Sequence, residues 1–167
     1  MPAPEPAMEQ RGAPPRAALW AGALAGTLDI TAACIQTLLK GRTPERMLQG
    51  IASGWLGRQS FTGGAATAAL GLSTHFFIAM TAATVYWATS RRYPQLVRHA
   101  WSWGASYGLV VYAVMYEIVI PVSAIHHRIP RTPQDYITQL LIHVCCVGLP
   151  IALTVRAWTP RRDIEPV

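Results

Sequence analysis

The chain has 167 residues, of which 51% are hydrophobic and only 13% charged, against about 25% charged in soluble domains. That length holds one domain, and the apolar residues are clustered into long runs. The net charge is +6, but the arginines sit in short segments between those runs. No basic stripe carries interleaved exposed aromatics, so nucleic acid is excluded as a partner and the lipid bilayer takes its place.

Residues 1–16 are rich in Pro, Ala, Glu and Arg, have almost no large apolar side chains, and are predicted to be a disordered tail. Four apolar runs follow, at Ala17–Leu39, Gly64–Trp87, Ala100–Val122 and Tyr136–Trp158. Each is close to the roughly 20 residues needed to cross a bilayer. Trp20, Tyr86, Trp87, Trp101, Trp103, Tyr136 and Trp158 mark their ends, where amphipathic rings favour the headgroup level. The first run is too long for a signal core and contains Asp29. Thr31-Ala32-Ala33-Cys34 has the outline of a lipoprotein cleavage box, but Thr suits it poorly and cleavage is not expected. Between the first two runs, Thr43 and Pro44 form a helix start. Met47, Leu48, Ile51 and Trp55 then recur at helical spacing opposite Arg46 and Gln49, which predicts a short interfacial helix. Thr132 and Pro133 open the fourth run in the same way, and residues 159–167 form a C-terminal tail. The expected fold is all-α, with residues 17–158 forming a four-helix transmembrane bundle.

Each run carries an ionisable residue well inside it: Asp29, His75, Glu117 and His143. A charge at a helix centre in a bilayer costs roughly 2.5–3.5 kcal/mol on insertion scales, so such residues face a protein interior. Helical spacing supports this. Gly22, Gly26, Asp29, Ala33 and Gln36 share one face of the first span. Gly64, Ala68, Gly71, His75, Ala79 and Ala82 form a similar seam on the second. The third offers Ser106, Val110, Ala113 and Glu117, a separate Gly104/Gly108 pair, and the hydroxyls of Tyr107, Tyr112 and Tyr116. The fourth offers Tyr136, Gln139, His143, Cys146 and Pro150. Gly22/Gly26 and Gly104/Gly108 are spaced for close helix crossing. Pro150 is expected to strip the Cys146 carbonyl of its donor and kink the span.

Charge gives the orientation. With the N-terminus cytoplasmic, that side holds eight Arg (Arg11, Arg16, Arg91, Arg92, Arg98, Arg156, Arg161, Arg162). The other holds six basic residues (Lys40, Arg42, Arg46, Arg58, Arg128, Arg131). The excess places both termini inside. A parallel duplication is suggested by Asp29 lying 13 residues before Arg42-Thr43-Pro44 and Glu117 lying 14 before Arg131-Thr132-Pro133, each followed by a span with a His.

Three readings of the acid/histidine set compete. In the structural one, Asp29 and Glu117 are neutral or paired with His75 and His143, and polar contacts specify packing in a non-enzymatic structural or accessory subunit, alone, as a homo-oligomer or in a larger membrane complex. In the second, carboxylates and imidazoles conduct protons or cations. In the third, His75 and His143 are the axial metal ligands of a b-type haem. No cofactor is expected under the first reading. His126 and His127, beside Arg128, have poor chelating geometry as neighbours and read as an interfacial loop. Cys34, Cys145 and Cys146 lack CxxC spacing and read as small buried hydrophobes. No catalytic residue is assigned, because GxSxG, a phosphate-binding glycine loop and HExxH are all missing.

The string Arg42-Thr43-Pro44-Glu45-Arg46 after a first span, with His143-x4-Gly148 in a closing span, resembles YagU-type small bacterial inner-membrane proteins. The resemblance is confined to those segments. It implies a multispan protein of a bacterial inner membrane and transfers no functional residue. The long Ala- and Gly-rich second span departs from that pattern.

Overall fold

The computed structural model describes residues 12–125 and 132–164. Among them every regular element is helical. The main elements are α1 (Arg16–Leu39), α2 (Pro44–Leu56), α3 (Gly64–Arg92), α4 (Ala100–Val122) and α5 (Pro133–Ala157). A 3-10 segment, Gly57–Thr62, joins α2 to α3, and short turns at Gln95–Arg98 and Arg161–Ile164 complete the chain. All but α2 of the five are long and apolar enough to cross a membrane.

The helix starts read from the sequence are present. Thr43 Oγ1 accepts from Arg46 N at 3.3 Å, with Pro44 next. Thr132 forms a reciprocal cap with Asp135: its Oγ1 accepts from Asp135 N, and its own N donates to Asp135 Oδ2, both at 3.2 Å. Helix α3 runs on past Trp87 to Arg92, and its last turn carries Arg91 and Arg92, cations that suit the negative end of the helix dipole. Ala13 is 2% exposed, and its carbonyl accepts from Trp87 Nε1 at 2.8 Å. Residues 1–11, 126–131 (with His126 and His127) and 165–167 lie outside the described residues. Thr159, placed in the C-terminal tail by sequence, is buried.

Both proline-bearing helices widen before the ring. In α4 a π turn covers Met115–Val119, ahead of Pro121. In α5 one covers His143–Gly148, ahead of Pro150. Ile120 N–H reaches back to the Met115 carbonyl and Leu149 N–H to the Val144 carbonyl, each five residues away. Proline has no N–H and its ring crowds the carbonyl four residues back. Shifting the register by one residue just before it relieves that conflict locally, the usual setting of a π bulge. At Pro150, where the sequence predicted a kink, the helix shows this π turn, and the same occurs before Pro121 in α4.

The glycine pairs sit at helix crossings. A Cβ on Gly22 would lie 2.9 Å from Met80 Cα, and one on Gly26 would lie 2.9 Å from the Phe76 ring. These two sites pack α1 antiparallel on α3. A Cβ on Gly104 would lie 2.8 Å from Ala152 Cβ, and one on Gly108 2.7 Å from Val144 Cα, which seats α4 on α5. Gly148 faces the same seam from α5, and Gly71 of α3 receives the Leu48 carbonyl of α2.

Packing is densest at the end that holds both termini. Ala17, Ala21, Ala83, Tyr86, Ile151 and Val155 are buried together there. Tyr86 O–H donates to the Leu96 carbonyl (2.9 Å), and Tyr107 O–H donates to the Ala82 carbonyl (2.7 Å), tying α4 to α3. Arg156 Nη1 donates to the carbonyls of Val97 and Arg98 at the C-terminus of the short Gln95–Arg98 turn. At the opposite end α2 connects α3 with α4. Trp55 Nε1 donates to Thr74 Oγ1 (3.0 Å), and Ala124 N donates to the Gly54 carbonyl (2.9 Å). Lys40, just past α1, pairs with Asp135 in the first turn of α5. The outward faces are apolar, with Leu19, Trp101, Ile137 and Leu141 all exposed. The exposed hydroxyls of Thr27, Thr31, Thr81 and Thr84 each donate to the carbonyl four residues back at 2.7–2.8 Å, which leaves their surroundings free of unmet polar groups.

Candidate functional site: a central cavity with an acid–imidazole pair

At the end bridged by α2 the helices line an open-sided cavity of about 700 Å³. All five helices contribute to its wall. Asp29, Ala33 and Gln36 come from α1, Ile51 and Trp55 from α2, Thr74, His75 and Ile78 from α3, Met115, Tyr116 and Val119 from α4, and Gln139, Ile142 and His143 from α5. The small-residue seams determine which side chains arrive here. Gly22 and Gly26 bring α1 against α3, so Asp29, one turn further on the same face, meets His75.

The Asp29–His75 geometry restricts the protons. His75 Nε2 lies 2.9 Å from the Gly26 carbonyl oxygen. A carbonyl only accepts, so Nε2 carries the hydrogen and donates. In the neutral ring Nδ1 is then an acceptor, and it faces Asp29 Oδ2 at 3.9 Å. That distance exceeds a direct hydrogen bond, so the expected acid–His contact is a close juxtaposition and not a bond. The side chains are 22% and 12% exposed, the Asp29 surface opening on the cavity.

A second polar group also lines the cavity. His143 is buried and its Nδ1–H donates to the Gln139 carbonyl at 2.9 Å, which makes Nε2 the acceptor end of the neutral ring. Its ring meets Tyr112 edge-on at 5.4 Å and Tyr116 at 5.9 Å. Gln139 Nε2 donates to Gln36 Oε1 (2.8 Å), and Tyr116 O–H donates to Gln139 Oε1 (3.4 Å). A chain of side-chain hydrogen bonds therefore crosses from α4 through α5 to α1. The sequence put Gln36 and Gln139 on helix faces and offered Tyr116 as a hydroxyl, but did not join them. The available signal was Gln36 falling seven residues after Asp29 on one face.

Of the four ionisable residues singled out by sequence, Asp29, His75 and His143 line the cavity and Glu117 does not. Glu117 is exposed, within the π turn of α4. Ser106, Val110 and Ala113, on the same stripe, are exposed as well, so that whole face of α4 points outward and the packed seam is the Gly104/Gly108 one. Of the cysteines, Cys145 lies on the outer surface of α5, Cys34 and Cys146 are half-buried, and all three thiols are free. Among the described residues no group of three or more His, Cys, Asp and Glu is placed to hold a metal ion. His75 could ligate a haem iron through Nε2 only by giving up its bond to Gly26. The chain matches no family model, no curated protein and no solved structure.

Proposed function

We propose that this chain is a non-enzymatic, multi-pass protein of a bacterial inner membrane that binds a small, mainly apolar solute drawn from the bilayer. In this reading the four long helices form a transmembrane bundle, α2 lies in the interface at the end opposite the termini, and both termini are cytoplasmic. The observation that carries the reading is the cavity itself. Its volume falls in the roughly 300–1,000 Å³ range of small-molecule sites, and its wall is mostly aliphatic with a few convergent polar groups. Trp55 and Phe77 line it and are also 65% and 66% exposed, so the wall is continuous with the outer surface where lipid would lie. The eight-to-six distribution of basic residues supports the orientation, and the YagU-type resemblance supports the membrane assigned.

The test is ligand-dependent stability of the purified protein. A panel of small apolar amphiphiles is screened by thermal unfolding in detergent, with Ala33→Phe and Ile51→Trp as two independent cavity-filling variants. A solute at 100 times its Kd stabilises by about 2.7 kcal/mol, and both variants abolish the shift. Shifts equal in all three proteins would refute binding in the cavity. Reporter fusions at the two termini are expected to score cytoplasmic in both cases, and a periplasmic C-terminus with a cytoplasmic N-terminus would rule out four crossings.

A second reading, proton or cation conduction, is favoured by Asp29 facing His75 and by the Tyr116–Gln139–Gln36 chain. Proteoliposomes with an entrapped pH dye test it: leak that vanishes in Asp29→Asn supports conduction, and equal leak in both removes it. An absorbance spectrum of the purified protein tests haem, since a Soret band is required. An accessory or oligomeric role predicts co-purification of further protein or a mass above one chain.

A further inference from the structure

From the Asp29–His75 geometry we infer that the solute bound in the cavity carries a protonated primary or secondary amine, whose N–H groups bridge Asp29 Oδ2 and His75 Nδ1. The inference rests on the cavity-binding reading above and narrows it to a ligand class.

Two acceptors face each other. Nε2 of His75 holds its hydrogen against the Gly26 carbonyl, so Nδ1 presents a lone pair towards a carboxylate oxygen 3.9 Å away. A direct imidazolium–carboxylate pair would close to roughly 2.7–2.9 Å. The observed spacing instead suits one donor atom shared by both. A nitrogen about 2.9 Å from each acceptor subtends an angle near 85°, which a tetrahedral ammonium meets with each hydrogen bond bent by roughly 12° from linear. The geometry needs two N–H groups on one nitrogen. A quaternary ammonium has none and an alcohol has one, without a charge.

Charge and shape agree with this. Asp29 is the acidic residue of the cavity wall, and a carboxylate in apolar surroundings favours a counter-cation over a neutral ligand. The remaining wall, with Ile51, Ile78, Met115, Val119 and Ile142, suits an apolar body. Trp55 and Tyr116 add aromatic faces that attract a cation. Elsewhere on the wall, Gln36 and Gln139 are already bonded to each other, so they do not compete for the ammonium.

The experiment uses the full chain in lipid nanodiscs and three probes sharing one aryl-alkyl body: phenethylammonium, its N,N,N-trimethyl derivative and 2-phenylethanol. Saturable binding is measured by calorimetry, with Ala33→Phe in identical nanodiscs as the baseline for partition into lipid. The primary ammonium is expected to bind at least tenfold more tightly than the other two, and Asp29→Asn is expected to lose that preference. Equal affinity of the primary and quaternary cations would overturn the bridge while leaving a cation site. Equal affinity of all three, abolished by Ala33→Phe, would overturn the ammonium assignment while leaving cavity binding intact. Binding unaffected by Ala33→Phe would overturn both. Should Asp29→Asn fail to fold, the three probes on the native chain decide alone.

Discussion

Gly26 is where packing and the candidate site meet, so replacing it tests both. A Cβ there would already sit 2.9 Å from the Phe76 ring and 3.2 Å from Ala79 Cβ. Isoleucine adds a branch and an ethyl arm to that crowding. Forced overpacking of a closed seam costs about 1–3 kcal/mol. Moving α1 away from α3 also stretches the His75 Nε2–H to Gly26 carbonyl bond, and interhelical polar contacts contribute about 0.6 kcal/mol on average. The expected loss for Gly26→Ile is therefore about 2–4 kcal/mol. At 2–4 °C per kcal/mol for a chain of this size, the fall in Tm is on the order of 10 °C. Circular dichroism melting in detergent measures it, and the Phe76 ring, being the far end of a side chain, sets the lower bound if it rotates clear. A melting point unchanged within error would mean the α1–α3 crossing is not the close contact described. Asp29 would then lose its route to His75.

Other substitutions separate crossing sites from open ones. Gly50, in the middle of α2, has nothing within 4 Å of an added Cβ, so Gly50→Ala is expected to raise stability by about 0.5–1 kcal/mol, read as a higher Tm. Gly108→Ala drives a methyl to 2.7 Å from Val144 Cα. A loss of about 1–3 kcal/mol in the same melt is expected, and stabilisation there would contradict the α4–α5 seam. Lys40→Ala removes the exposed partner of Asp135. Exposed pairs contribute at most about 1 kcal/mol, so its Tm should fall by only a few degrees, and by less in high salt.

Much of the fold is legible along the chain because its signals are local. Apolar runs, Thr-Pro helix starts and Gly-x3-Gly spacing depend on neighbours within a few turns, and they gave the four long helices, α2 and the glycines that meet another helix. Asp29 and His75 were placed on interior faces for the same reason, since each shares a 3.6-residue stripe with small side chains. Glu117 failed on that same rule. Its stripe-mates Ser106, Val110 and Ala113 are exposed too, because α4 packs through its Gly104/Gly108 face, and Gln49, assigned to the outer face of α2, is buried and donates to the Gly64 carbonyl.

What the amino-acid order determined alone is therefore which segments are helical, which are apolar enough for a membrane, and which of their faces bear ionisable groups. Only the tertiary structure decided that packing is dense at the end holding the termini and that α2 bridges α3 to α4 at the other, where the helices line an open-sided cavity. It also decided that Asp29 stands 3.9 Å from His75 and that Gln36, Gln139 and Tyr116 form one chain. These relations join residues from 23 to 103 positions apart, and their distances follow from how helices cross. Crossing is set by side-chain volumes on two surfaces at once, which no periodicity within one helix encodes.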